Sequence, residues 1–304
     1  MPIMDRNPVD PVQTSVRTDV PVTAAPAFRS TREIEKAVGN WTRQHMPGWL
    51  SEFVVFGLKL GWASLFGGLL LIGIIVSKMV WSDTLPLYRY DAVLIYAVGL
   101  QVLFLWFRLE TFNEARVIVL FHITGTAMEM FKVNAGSWAY PEPGVLKLLN
   151  VPLFTGFMYA SVGSFMARAI RLFEMRFDPF PPFWTSVLLA LAIYINFFAQ
   201  HFLVDIRILL FAATFVLFFR TRVWFKIGDN RYWIPMVLAG ALTSFFLWLA
   251  ENVGTRTGTW TYPGQGLLEW VSWSKMGSWY LLIYVSFATV TLIYRNVLVT
   301  PDKR

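Results

Sequence analysis

Eight apolar segments constrain the fold of this chain more than any other feature of its sequence. They are 14 to 28 residues long and contain few charged side chains. A helix needs about 20 mostly apolar residues to cross the roughly 30 Å of hydrocarbon in a bilayer. Only 15% of the 304 residues are charged, whereas soluble proteins average about 25%. We therefore expect an all-α fold, a polytopic transmembrane helical bundle of about eight spans. The segments are Phe53–Val80, Asp91–Phe107, Val117–Phe131, Pro152–Leu172, Phe183–Phe202, Ile206–Phe219, Ile234–Leu249 and Gly277–Ile293.

One alternative to eight full crossings stays open. The segments that begin at Ile206 and Ile234 are short for a crossing, and only Leu203, Val204 and Asp205 separate the fifth segment from the sixth. A re-entrant pair at this break would also fit the sequence. Eight full spans is the interpretation that we prefer.

The numbers of cysteine and histidine residues argue against redox-metal chemistry. The chain has no cysteine and three histidines, His45, His122 and His201. This composition excludes disulfides, iron–sulfur clusters, thiolate zinc sites and the histidine-rich sites of membrane di-iron enzymes. We expect no metal and no cofactor. The net charge of +7 is expected to reflect membrane topology, and no nucleic-acid partner is predicted.

Lysine and arginine are distributed unequally between the two sides of an eight-span arrangement. Fifteen of them flank the spans on the side of the N-terminus and seven flank the other side. Because cytoplasmic loops carry the excess of basic residues, both termini are expected in the cytoplasm. Residues 1–47 should form a cytoplasmic tail, disordered over residues 1–28, with a short interfacial helix between Ser30 and Met46. Residues 299–304 should form a second cytoplasmic tail. No apolar run precedes residue 50, so the first span is expected to act as the insertion signal.

One short motif occurs twice in the sequence at a constant offset of 122 residues. Such a self-match predicts two four-helix units, over residues 48–175 and 176–298. An even number of spans in each unit makes the units parallel, related by an axis along the membrane normal. Both motifs should then lie at equal depth, on the outer side. The matched residues are Glu129, Gly136, Trp138, Tyr140 and Pro141 in the first unit, and Glu251, Gly258, Trp260, Tyr262 and Pro263 in the second.

The repeated acids are the first candidates for chemistry. Glu129 and Glu251 stand at the outer ends of apolar helices, where a carboxylate is costly, and His122 lies two helical turns before Glu129. These three residues are the candidate catalytic groups. The repeated aromatics are candidate substrate-binding residues, although aromatic side chains are also enriched at both bilayer interfaces for purely structural reasons. These aromatics are Trp138, Tyr140, Trp260 and Tyr262.

A second polar group lies at the break between the fifth and sixth segments. Gln200 and His201, with Asn196 and Asp205 nearby, could bind a ligand or line a proton path. Hydrogen bonding between helices is an equally good explanation. The charged residues from Arg108 to Arg116 are interpreted as a solvated cytoplasmic loop with local salt bridges.

Two longer blocks of sequence carry a family resemblance. The blocks are Gly125–Gly144, with the motif Glu-Met-Phe-Lys-Val-Asn-Ala-Gly-Ser-Trp-Ala-Tyr-Pro, and Phe173–Pro182. In them the chain resembles the YoaT-like family of uncharacterised bacterial integral membrane proteins, over about residues 45–298. The resemblance implies a bacterial inner-membrane location and no particular activity. The Glu-x(6)-Gly-x-Trp-x-Tyr pattern is also similar to membrane carotenoid hydratases and helical membrane lycopene cyclases, which use membrane-embedded acids on isoprenoid chains.

Three functions fit these features. The first is binding or acid–base conversion of a long apolar lipid of isoprenoid type, with membrane lipids as the surrounding partners. Glu129 and Glu251 would then transfer a proton, and the aromatic side chains would stabilise a carbocation. The second is small-solute transport by two parallel repeats. The third is a structural role as a subunit of a larger membrane complex, and the oligomeric state is open.

Overall fold

The computed structural model describes residues 39–42, 44–82, 84–200, 202–266 and 268–299. The predicted disordered start, residues 1–28, and the C-terminal tail from residue 300 onward lie outside these ranges. Of the predicted interfacial helix, residues 39–42, 44 and 45 are described and are helical. Nine longer helices follow: α1 (Gly48–Ala63), α2 (Leu65–Val80), α3 (Arg89–Trp106), α4 (Phe112–Asn134), α5 (Phe154–Leu172), α6 (Phe183–Ala199), α7 (Arg207–Phe218), α8 (Met236–Arg256) and α9 (Trp273–Ile293).

The fold is that of a mostly helical membrane protein. Within the described ranges, α3, α8 and α9 are each long and apolar enough to cross a membrane, and α1 with α2 would add a fourth span. Helices α6 and α7 are apolar but shorter. The number of eight spans therefore stays a prediction.

The first predicted segment is broken in two. Helices α1 and α2 meet at Ser64 with a bend of 67°. The Ser64 hydroxyl donates a hydrogen bond to the Leu60 carbonyl at 2.9 Å. A serine that bonds back to the preceding turn favours a bend in a helix. The predicted apolar segment Phe53–Val80 therefore contains two helices, and its crossing of the membrane as one span stays a prediction.

A three-stranded antiparallel sheet was not predicted. Strand β3 (Arg176–Asp178) pairs with β4 (Arg222–Ile227), and β4 pairs with β5 (Asn230–Pro235). A smaller hairpin, β1 (Lys147–Leu148) with β2 (Val151–Pro152), lies between α4 and α5. The inner face of the larger sheet packs on the helices through side chains such as Phe177 and Val223. The fold is therefore mostly helical rather than all-helical.

The turn between α3 and α4 also differs from the prediction. Glu110 and Glu114 are buried rather than solvated. Arg168 of α5 donates to Glu110 at 2.9 Å, and Arg171 donates to Glu114 at 2.7 Å. The partners are more than 50 residues apart in sequence, and they meet because α5 packs along α4. The prediction of a solvated loop with local salt bridges is wrong for these two acids.

Candidate functional site

Glu129 lies in the last two turns of α4 and accepts three side-chain hydrogen bonds. The Trp138 indole N–H donates to Oε2 at 2.7 Å, and the Tyr140 hydroxyl donates to the same oxygen at 3.0 Å. The Tyr159 hydroxyl, from α5, donates to Oε1 at 2.7 Å. Glu129 is almost fully buried. Burying a carboxylate is costly unless its oxygens are satisfied, and three donors satisfy them here.

Glu251 lies at the equivalent place near the end of α8. The Trp260 indole N–H donates to Oε1 at 2.7 Å, and the Tyr262 hydroxyl donates to the same oxygen at 2.5 Å. The Trp279 side chain of α9 also lies close to the carboxylate. Each acid is thus held by one Trp and one Tyr of its own motif, and an aromatic side chain of the following helix lies beside it.

Each of the two acid-bearing helices ends in a turn of the same type. Gly136 follows α4 with φ +72°, and Gly258 follows α8 with φ +65°. Such positive φ values favour glycine at the end of a helix. The residue after each glycine donates its backbone N–H to a carbonyl in the last helical turn, at 2.9 and 3.0 Å. This turn sends the chain back toward the helix, so the tryptophan two residues after each glycine reaches the acid.

The two motif loops pair with each other through their backbones. The N–H of Ala139 donates to the Thr261 carbonyl at 3.0 Å, and the N–H of Thr261 donates to the Ala139 carbonyl at 2.9 Å. Ala139 and Thr261 are also 122 residues apart. The rings of Trp138 and Tyr262, from different motifs, meet edge to face with centroids 6.1 Å apart. The pairing brings the two acids close enough for their charges to repel one another.

The tyrosines of both loops are held in the protonated form. Burial raises the pKa of Tyr140 and of Tyr262 well above the usual value, and the carboxylate that each contacts raises it further. A protonated phenol can donate a hydrogen bond at any physiological pH. Both hydroxyls are therefore permanent donors to the acids.

An apolar cavity of about 260 Å³ lies within the helical bundle, and neither acid lines it directly. It lies between α4, α5, α6 and α9, and Tyr159 and Trp279 form part of its wall. Leu191 and Leu292 also line it and are each more than half exposed. The cavity therefore opens sideways, on the flank of the bundle, and its inner wall includes the two aromatic side chains that lie beside the acids.

A cation lies beside the second acid, but it is not the basic residue nearest to that acid in the sequence. That residue is Arg256, five positions after Glu251. Its guanidinium instead lies over the Trp270 ring, 4.1 Å from the centroid. The Lys275 ammonium lies 3.9 Å from the centroid of Tyr262 and 5.6 Å from that of Trp138, and its charge attracts Glu251.

His122 lies in the contact between α4 and α5. Its ring packs on Phe157 with centroids 4.5 Å apart. A Cβ atom at Gly156 would come within 2.4 Å of the His122 ring, so α5 approaches this closely only because residue 156 is glycine. The side-chain oxygens of Thr126 and Thr155, also on α4 and α5, are buried. His122 is thus part of a polar patch between the two helices, and a catalytic role for it stays a prediction.

The second polar group closes the turn between α6 and α7. Asn196 donates to Asp205 at 3.0 Å, and Arg207 donates to Asp205 at 2.7 Å and to Gln200 at 2.9 Å. His201 lies outside the described residues. These contacts account for Gln200 without a ligand, so its role in substrate binding stays a prediction.

Three residues of the site were missed from the sequence. Tyr159, Trp279 and Lys275 all come from helices that follow the motifs. The aromatic side chain of the following helix is a tyrosine, Tyr159, at the first acid and a tryptophan, Trp279, at the second. Among the described residues, no group of three or more histidines and acids could hold a metal ion.

Gly254→Ala is expected to disrupt the second half of the site. A Cβ atom there would lie 1.8 Å from the Trp260 ring, which must then move away from Glu251. We expect a loss of about 2–3 kcal/mol in the free energy of unfolding, as for other overpacked cores. The measurement is reversible unfolding in mixed detergent micelles.

Gly99→Ala is the matched control for this variant. Gly99 lies inside α3 and has open space around it. Both substitutions gain about 1 kcal/mol of helix propensity, so the difference between them isolates the clash. Equal unfolding free energies for the two variants would contradict the packing of Trp260 on α8.

Comparison with known proteins identifies relatives over most of the chain. A family model described as "Protein of unknown function (DUF817)" matches residues 52–287. The "Uncharacterized protein YoaT" of Bacillus subtilis (strain 168) is 39% identical over 256 residues, which cover 84% of this chain and 96% of the relative. These matches confirm the predicted resemblance to YoaT-like proteins.

Two solved structures resemble the fold at lower similarity. One is a mycobacterial Insig homologue, MvINS from Mycobacterium vanbaalenii, and the other is a cross-linked MvINS trimer. They are 12% and 13% identical to this chain. Each covers 61% of this chain and 97% of its own length, with a TM-score of 0.42.

Proposed function

The chain belongs to the DUF817 family of proteins of unknown function, and from this premise we propose that it binds or converts a long apolar lipid of isoprenoid type. The observation that carries the proposal is the apolar cavity walled by Tyr159 and Trp279. A lipid chain that enters from the flank of the bundle would lie against the two side chains that lie beside the acids. Pockets for apolar ligands are lined in this way, by apolar and aromatic groups with a few polar ones.

The proposed chemistry is proton transfer between the two acids and an alkene. Protonated Glu129 would pass a proton through the Tyr159 hydroxyl, with which it shares a hydrogen bond, to one carbon of a double bond, leaving a carbocation at the other. The aromatic faces of Tyr159 and Trp279, which line the cavity, would stabilise the cation. Ionised Glu251, attracted by Lys275, would remove a proton from the neighbouring carbon and so move the double bond. The mutual repulsion of two buried carboxylates favours a state in which one of them is protonated.

The proposed architecture is two parallel units, residues 48–175 and 176–298. In it, α2 to α5 correspond to α6 to α9, and α1 is an additional element of the first unit. The identical turns after α4 and α8, and the backbone pairing of Ala139 with Thr261, support this correspondence. All eight corresponding helices would cross the inner membrane, with the acids toward the outer side.

Lipid extraction tests the proposed function. The full chain is purified in detergent, its bound lipids are extracted, and they are identified by mass spectrometry. Leu191→Trp should place an indole in the mouth of the cavity and expel a specific polyisoprenoid. Leu188→Trp is the matched control, because Leu188 lies one turn earlier on α6, is 55% exposed against 52% for Leu191, and does not line the cavity.

The outcomes separate the proposed function from its alternatives. A polyisoprenoid that is retained by Leu188→Trp and lost from Leu191→Trp supports lipid binding. Equal loss or equal retention in both variants would refute the cavity as its site. Proton-coupled uptake of a small solute by reconstituted vesicles, with no specific lipid bound, would favour a transporter.

The topology makes a separate prediction. A reporter that is active only outside the cytoplasm should be silent when fused after Arg304 and active when inserted near Gln265. The reason is the excess of basic residues on the side of the termini. Activity of the reporter in cells is the measurement, and a cytoplasmic reporter at the same two positions is the control. The reverse pattern would refute the proposed orientation.

A further inference from the structure

A cleft at the other end of the bundle is separate from the acid site. Helix α8 begins directly after β5 and ends directly before the second motif loop. Its 21 residues span roughly 30 Å at 1.5 Å per residue. The β3–β4–β5 sheet and the acids therefore lie near opposite ends of the bundle.

The two faces of this sheet have very different compositions. The strand register places every second residue on the outer face, away from the core. In these three strands that face carries four basic side chains and two tryptophans, with one acid, Asp178. The outer residues are Arg176, Asp178, Arg222, Trp224, Lys226, Arg231, Trp233 and Pro235.

Part of this outer face forms a cleft of about 510 Å³. Arg220 and Arg222 line it, together with Trp224 and Trp233. The Arg222 guanidinium lies over the Trp233 ring, 4.2 Å from the centroid. A guanidinium that lies on an aromatic face keeps N–H groups for hydrogen bonds to a phosphate. Asp178 also lines the cleft, so the two arginines leave an excess of positive charge there.

The cleft continues into the apolar flank of α7. Phe219 follows the last residue of α7, lines the cleft and is 54% exposed. Phe215 and Val216, in the preceding turn, are also exposed. A molecule bound here would meet cations and indole rings at one end and a hydrocarbon surface at the other. That combination matches a phospholipid, whose headgroup is anionic and whose acyl chains are apolar.

We propose that this cleft binds the phosphate headgroup of an anionic phospholipid, whose acyl chains lie along α7. Arg220 and Arg222 would contact the phosphate oxygens, because a guanidinium fork matches the geometry of a phosphate. Trp224 and Trp233 would lie at headgroup level, as interfacial aromatics do. In the proposed topology this end faces the cytoplasmic leaflet, which carries the anionic lipids. The proposal does not depend on the chemistry of the acid site.

Lipid titration followed by native mass spectrometry tests the proposal. The full chain in detergent is titrated with dioleoyl phosphatidylglycerol or with dioleoyl phosphatidylcholine, which has the same acyl chains and a neutral headgroup. We expect tighter binding of phosphatidylglycerol. Arg222→Gln should weaken it about tenfold, the equivalent of about 1.4 kcal/mol, because it removes a charge-assisted hydrogen bond to the phosphate.

Arg231→Gln is the matched control. Arg231 lies on the same outer face and carries the same charge, but it does not line the cleft. It should bind phosphatidylglycerol as the unchanged chain does. Arg220→Gln, at an exposed position in the cleft, provides a second test if Arg222→Gln fails to fold.

Each remaining outcome would overturn the proposal. Equal weakening by Arg222→Gln and Arg231→Gln would show that the whole basic face attracts anions without a specific site. Equal binding of the two lipids would remove the role of headgroup charge. If inorganic phosphate alone competed fully with phosphatidylglycerol at the same concentration, the cleft would be a site for a free anion rather than a lipid.

Discussion

Glu129→Gln and Glu251→Gln are each expected to abolish conversion of the lipid, with a loss of at least about a hundredfold in rate. Glutamine keeps the size of the side chain, but it cannot give or hold a proton in the way that a carboxyl group does. The rate of formation of the double-bond isomer, separated from the substrate by liquid chromatography after reconstitution, is the measurement, because the two have the same mass. Because each acid has one role in the proposed reaction, neither variant should retain partial activity through the other.

The two variants should differ in stability. The Tyr159 hydroxyl donates to Glu129, and a hydroxyl can rotate to accept from the new amide instead. Trp260 and Tyr262 both donate to Oε1 of Glu251. The amide nitrogen of a glutamine would then stand at the place of Oε2, close to the Trp279 indole, whose N–H cannot accept. Glu251→Gln should therefore leave one buried donor unsatisfied and cost about 1–2 kcal/mol. Glu129→Gln should cost less.

Stability serves as the control for the activity result. If both variants lose activity only in proportion to the fraction that remains folded, the acids are structural and the proposed proton transfer is refuted. If Glu129→Gln is the less stable variant, the hydrogen-bond geometry of the two acids is contradicted, whatever the activities.

Arg168→Met is expected to give the largest loss of stability in the chain, about 3–5 kcal/mol. The side chains of Arg168 and Glu110 are both fully buried, and they form a salt bridge of 2.9 Å. Ser164 and Gln101 also donate to Glu110. Removing the guanidinium leaves a buried carboxylate without its counter-charge. Unfolding in mixed detergent micelles at neutral pH is the measurement.

The pH dependence of Arg168→Met identifies the cause of this loss. Burial raises the pKa of Glu110, and the charge of Arg168 opposes the rise. Without Arg168 the pKa of Glu110 should rise further above its value in the unfolded chain. The destabilisation should then be small at pH values below the pKa of Glu110 in the unfolded chain. It should grow as the pH rises through the pKa of Glu110 in the folded variant.

The double variant Glu110→Gln with Arg168→Met is the matched control. It removes both charges and keeps side chains of similar size, so its stability should return close to that of the unchanged chain. A double variant as unstable as Arg168→Met alone would show that lost packing, rather than an unpaired charge, is responsible.

The pairing of acids with aromatics could be anticipated because it is local. Glu129 and Trp138 are nine residues apart, as are Glu251 and Trp260. A glycine between them ends the helix and turns the chain back, and that turn depends on the sequence of a short segment. Tyr159 and Trp279 could not be assigned to the acids in this way, because their position depends on how α5 and α9 pack.

The β4–β5 hairpin carried a signal that was overlooked. Arg222, Trp224 and Lys226 alternate with apolar residues, and Gly228 stands in the turn before β5. Strict alternation with a glycine-containing turn is typical of a hairpin. The basic residues were instead assigned to membrane topology, and Ile234 was assigned to a helix, which in fact begins at Met236.

The buried ion pairs had no local signal. Arg168 was counted as a topology charge, and Glu110 as part of a solvated loop. Fifty-eight residues separate them, and only the packing of α5 along α4 brings them together. A sequence shows that charges exist and how they are spaced along each helix, whereas pairing between helices depends on their axial offset and rotation.

The backbone pairing of Ala139 with Thr261 has a consequence for how the two halves of the site tolerate mutation. The two hydrogen bonds use only main-chain atoms, so they specify no side chain at either position. Alanine in one loop and threonine in the other already illustrate this freedom. Any residue with a backbone N–H can occupy position 139 or 261. Proline is the one natural amino acid that would remove one of the two hydrogen bonds. The two loops can thus accumulate different substitutions at their point of contact and still hold the acids in register.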